Sequence, residues 1–71
     1  MKLRETWMRT TAKLEHAQIA EAVIEAEVLI RQALAMDRAQ FFAALNEELA
    51  PNREARISRL VERRMAGEPL A

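Results

Sequence analysis

Fifty residues pass before the chain meets a backbone breaker. Its two prolines, Pro51 and Pro69, and its single glycine, Gly67, all lie in the second half. A chain without glycine and proline lacks the usual chemistry of tight turns and hairpins, so helix is the default conformation over most of its length. In the first stretch Leu3, Trp7, Thr10 and Leu14 recur at helical spacing, with Trp7 at the centre of the stripe. In the second, Ile19, Val23, Ala26, Ile30 and Leu34 form a stripe that Ala22, Leu29, Ala33 and Met36 widen. An apolar face that broad predicts a central helix with several neighbours. The joint between the two is placed near His16 to Ala20, although "HAQIAEA" offers no cap, glycine or proline to force a turn.

Two later starts are better marked. Asp37 followed three residues on by Gln40 fits a capping box, with Phe41, Phe42 and Leu45 as the buried side of the helix it opens. Pro51 suits a first helical turn, with Leu49 packing just before it and Ile57, Leu60, Val61 and Met65 as the apolar stripe beyond. Gly67 then offers the left-handed conformation that closes many helices, and Pro69 prevents continuation. The expectation is all-α: a small bundle of four to five short helices, with Trp7, Val23, Ile30, Phe41, Leu45, Ile57, Leu60 and Val61 in its core.

At 71 residues the chain is one small domain near the lower size limit for a self-sufficient core. Eleven basic residues balance eleven acidic ones, so no net field attracts nucleic acid or an anionic membrane. The charged amino end, "MKLRETWMRT", does not resemble a signal peptide, and no apolar run is long enough to span a bilayer, which fits a cytoplasmic protein. Without cysteine there is no disulfide framework, thiolate metal site or thiol nucleophile. One glycine cannot build a phosphate-cradling loop. His16 has no second histidine to share a metal with and reads as a surface or helix-end residue. Glu21, Glu25 and Glu27 read as solvated acids, with Arg31 available to Glu27 one turn on. Ser58 has no base in the pattern around it. No catalytic, cofactor-binding or metal-binding residue is assigned.

One cluster stands out. Arg56, Arg59 and Arg63 fall within about 60° of one another on a helical projection, with Arg53 beside them. The stripe fits either a solvated helix face partly neutralised by Glu54 and Glu62, or a docking surface for an acidic partner that uses arginine's planar fork. Arg64 projects about 100° away from Arg63.

The closing stretch "LVERRMAGEPLA" resembles the end of the amino-terminal helical domain of release-factor glutamine methyltransferases of the PrmC/HemK type. Glu25 to Ile30 stand where that family has an Asp-Ala-Glu-Leu-Leu-Leu-like helix. Met36 to Gln40 resemble its Leu-Ser-Arg-Ala-Glu/Gln helix start, and "EELAPNREARISRLVERR" resembles its entry to the last helix. The chain departs from the family in lacking a Ser-Pro between the first two helices, in Ala50 where a capping serine is usual, and in Ala35 where glycine is common.

The resemblance implies a helical substrate-recognition domain over residues 1–66. Gly67, Glu68, Pro69 and Leu70 would begin a linker over 67–71 to an absent catalytic domain, which would carry the S-adenosylmethionine site and an Asn-Pro-Pro-Tyr catalytic motif. Arg64 would be free to dock against that domain. The implied partner is a peptide-chain release factor, methylated on the glutamine of its Gly-Gly-Gln motif; the arginine stripe read from the residues, Arg56, Arg59 and Arg63, is the candidate contact with it. Two other readings stay open from the residues alone: a self-contained helical interaction or dimerisation protein, and a small helix-turn-helix DNA binder suggested by the arginine stripe.

Overall fold

The computed structural model describes residues 1–67 and contains four helices: α1, Leu3–His16; α2, Ala22–Leu34; α3, Arg38–Ala43; and α4, Pro51–Met65. Among the described residues there is no fifth helix; one isolated antiparallel bridge joins Lys2 to Glu48. The expected all-α bundle is therefore the observed architecture. α2 packs against both α1 and α4, as its broad apolar face predicted, while α1 and α4 meet along a thinner seam.

The helix boundaries follow from local chemistry. α1 closes where Gln18 takes a positive φ of 62°, which lets the Ile19 amide donate to the Leu14 carbonyl at 3.0 Å. This is the closure that glycine usually provides. Glu21 also sits at positive φ, so the turn falls at residues 17–21 with no glycine to announce it. α2 ends the same way at Ala35, whose φ of 54° carries the left-handed strain a glycine would avoid. Asp37 and Gln40 form the expected capping box, with Asp37 Oδ1 accepting the Gln40 amide at 2.8 Å and Gln40 Oε1 accepting the Asp37 amide at 2.9 Å. Pro51 occupies the first turn of α4, and Ala50 supplies no side-chain cap.

The chain's first residues are tied to the turn before α4. The Leu3 and Arg4 amides, which have no partner inside α1, donate to the Glu47 and Leu45 carbonyls, and the Leu49 amide donates to Met1. The Met1 ammonium completes this strap at 2.9 Å from Glu48 and 3.8 Å from Glu54. The Glu48 hydrogen bond raises the ammonium pKa above its ordinary 8.0, and the same bond lowers Glu48 below its ordinary 4.5. A raised amine pKa contributes stability that is complete below the unfolded value and lost as pH climbs through the folded one. A lowered carboxyl pKa contributes stability that is lost as pH falls through its folded value. Thermal melts should therefore show the benefit of this pair as a plateau between those limits. Glu48→Gln should lose it there and converge with the parent chain at both extremes. A constant difference across the whole range would show that the pair plays no part.

The core is centred on Phe41, Leu3, Leu14 and Ile30, all fully buried, with Ile57 and Val61 from α4 and Leu49 from the turn before it. Trp7, Leu45 and Leu60 pack half-buried against it. Three expectations are corrected here. Val23 is 51% exposed: it lies in the first turn of α2, at the end of the bundle, and offers its carbonyl to the Trp7 indole N–H at 3.0 Å. Phe42 is 42% exposed, because consecutive helix positions diverge by about 100° and Phe41 takes the core direction. Met65, the last residue of α4, is likewise largely exposed.

Candidate functional site

The arginine stripe is built on the outer side of α4. Ile57 and Val61 bury another face of the helix in the core and hold it in rotation, which leaves Arg53, Arg56, Arg59 and Arg63 exposed. Arg56 and Arg59 make no hydrogen bond or ion pair among the described residues, so their guanidinium forks are available to a partner. Arg59 and Arg63 line an open depression with Glu62 and Ala66. The structure thus brings together the three arginines singled out from the sequence and adds a concave surface between two of them.

Arg64 belongs to a different environment. It lies on the α2-facing side of α4, and its Nε and Nη2 reach Glu25 Oε1 and Oε2 at 2.8 and 3.4 Å. Both side chains are largely shielded, at 24% and 15% exposure. The expectation that Arg64 is free to dock against a further domain is thereby corrected: its fork is spent on tying α4 to α2. Glu25 is correspondingly no solvated acid. Nor is Glu27, which is buried with Oε2 at 3.4 Å from Arg31 Nη1 and 3.1 Å from Arg38 Nε. The first of these is the expected i,i+4 pair, and the second clamps α3 to α2. Glu25 and Glu27 serve packing, and the structure does not join them into an acid–base pair.

A second surface escaped the sequence reading. Trp7, Phe41 and Phe42 meet edge to face with centroids 5.0 to 5.8 Å apart, and the Arg38 guanidinium lies 5.5 Å from the Phe42 ring centroid. The exposed part of this cluster is an aromatic edge carrying a cation. Its signal in the sequence was the consecutive Phe41 and Phe42, since one residue of such a pair on a short helix must turn outward. His16 is the exposed last residue of α1, as expected. Among the described residues no three His, Cys, Asp or Glu side chains are grouped to hold a metal, and no helix is long and apolar enough to cross a membrane. Of the proposed linker, Gly67 has a φ of 98°, the left-handed conformation expected of it; Glu68, Pro69 and Leu70 lie outside the described residues.

Fold and surface define a small all-α domain that presents a basic helix face. Residues 5–71 match the PrmC N-terminal domain family, and the chain belongs to it. It is 34% identical over 70 residues to the release factor glutamine methyltransferase of Deinococcus radiodurans, a match that covers 99% of this chain and 25% of that protein. It is 36% identical over 70 residues to the enzyme of the same name from Moorella thermoacetica, again covering 99% of this chain and 25% of the relative. The Bradyrhizobium diazoefficiens protein of that name is 37% identical over 60 residues, which are 84% of this chain and 20% of the relative. The chain thus spans about a quarter of the length of the curated relatives it matches. No solved structure matches it.

Proposed function

We propose that this chain is the substrate-recognition domain of an S-adenosylmethionine-dependent methyltransferase that modifies the Gly-Gly-Gln glutamine of peptide-chain release factors. In this reading the domain binds and orients the release factor, while a catalytic domain in the same polypeptide holds the cofactor and transfers the methyl group in the cytoplasm. The observation that carries the reading is the match of nearly the whole chain to the amino-terminal domain of this family. The exposed arginines of α4 add a physical means of capture. Among the described residues Arg56 and Arg59 have no partner, whereas Arg64, one position beyond Arg63, is already neutralised by Glu25.

An arginine rim of this kind acts mainly on encounter and orientation, with a smaller effect on final affinity. Arg56→Glu combined with Arg59→Glu should slow association with a release factor by about tenfold at low salt, and the difference should shrink as ionic strength rises, because charges are screened over about 10 Å at 0.1 M. Reversal at Arg4, exposed on α1, and at Lys2, exposed just before it, is the control. Stopped-flow or surface-plasmon association rates across a salt series make the comparison. Equal changes for the stripe and for the α1 control at every salt concentration would make the stripe an ordinary solvated face.

A further inference from the structure

The Glu25–Arg64 pair fixes which ends of the bundle coincide. With Arg64 Nε 2.8 Å from Glu25 Oε1, the first turn of α2 lies beside the last turn of α4. Ile24 precedes Glu25 and Met65 follows Arg64, so both flank the pair, and Val23 is one position further. These three are 56%, 46% and 51% exposed, and they make up half of the six large apolar side chains left exposed among the described residues. Single exposed apolar side chains are ordinary, whereas a group of them at one end of a domain marks a contact surface.

The polar groups beneath this surface are already matched. Arg64 engages both Glu25 oxygens, at 2.8 and 3.4 Å, so a cover meets apolar side chains and a neutralised pair, with no lone charge to strip of water. Three side chains bury too little to offset the freedom that a separate partner loses on binding. They suffice for a partner tethered close by, whose effective concentration through a short linker is about millimolar. The tether is at hand: α4 ends at Met65, and Gly67 turns the backbone at φ 98° two positions later. The relatives that this chain matches are about four times its length.

We propose that Val23, Ile24 and Met65 are the seat for an apolar surface of the catalytic domain that follows in the same polypeptide. This inference rests on the reading of the chain as the first domain of a methyltransferase. Met65 projects about 160° from Arg63, so the seat and the arginine stripe occupy different faces of α4. Arg64 serves the contact only by holding the two helix ends together.

The chain has no cysteine, so single introduced thiols report on cover. Ile24→Cys and Met65→Cys, both at exposed positions outside the core, are made in the 71-residue chain and in an enzyme carrying it as first domain. Ala55→Cys, exposed on α4 ten positions before Met65, is the control. Maleimide labelling is followed site by site by peptide mass spectrometry, with no release factor or S-adenosylmethionine present. A cover that opens about a tenth of the time slows labelling about tenfold. That slowing is expected for Ile24→Cys and Met65→Cys in the enzyme, relative to the 71-residue chain, with Ala55→Cys unchanged. Equal rates in the two proteins overturn the proposal. So does slowing that needs added release factor, or slowing in the 71-residue chain that grows with its concentration, which would make the factor or a second copy the cover. Methylation of a release factor by the same enzyme tests the underlying reading separately: methylation with unprotected thiols sinks the contact alone, and protected thiols without methylation sink the reading alone.

Discussion

Phe41→Ala should leave the chain largely unfolded in water at room temperature. Phe41 is fully buried and is the largest side chain at the centre of the core, in edge contact with both Trp7 and Phe42. Deleting a buried phenylalanine costs about 3–5 kcal/mol, counting lost transfer energy and the cavity left behind. A single core in a domain of this size supplies only about 3–5 kcal/mol in total, so the loss is comparable to the whole stability. Phe42→Ala is the matched control. That ring is 42% exposed, and its removal should cost about 1 kcal/mol, mostly its edge contacts and the Arg38 interaction. Urea titrations followed by Trp7 fluorescence should show a cooperative transition for Phe42→Ala and none, or one displaced almost to zero urea, for Phe41→Ala. Similar midpoints for the two variants would mean that the core is centred elsewhere.

Glu27→Lys should be nearly as damaging, for an electrostatic reason. The Glu27 carboxylate is 5% exposed and accepts from Arg31 on its own helix and from Arg38 at the start of α3. A lysine there would bury a third cation beside two others and release α3 from α2. Breaking a buried pair in a way that leaves an unmatched charge costs about 3–5 kcal/mol. Glu27→Gln keeps the shape and one acceptor, and since Arg38 is 70% exposed its guanidinium can be rehydrated; a cost of about 1 kcal/mol is expected. Calorimetric melting of the two variants measures the contrast. Equal melting temperatures would show that the clamp between α2 and α3 does not hold in solution.

Features that depend on neighbouring residues were legible in the sequence. The Asp37–Gln40 box, Pro51 in the first turn of α4, and the left-handed Gly67 each need only a few consecutive positions to specify them. The α1–α2 turn was not, because Gln18 and Glu21 adopt the left-handed conformation without the residue type that signals it. Periodicity gave the buried faces but not where their cover ends, which is why Val23 and Met65 proved exposed. The ion pairs of Arg64 with Glu25 and of Arg38 with Glu27 link residues far apart in the chain, and no local pattern encodes that proximity. The arginine stripe survived intact because helical geometry alone places Arg56, Arg59 and Arg63 together.

We propose above that this domain recognises a protein substrate and leaves the chemistry to another part of its polypeptide. The most direct measurement is steady-state methylation by an enzyme carrying this chain as its first domain, compared with the same enzyme lacking residues 1–66, on an intact release factor and on a short Gly-Gly-Gln peptide. The prediction is that removing the domain lowers kcat/KM for the intact factor by about tenfold or more, while the value for the peptide and the affinity for S-adenosylmethionine stay unchanged. An equal loss on both substrates would make the domain a support for the catalytic half, and no loss on either would contradict a role in substrate recognition.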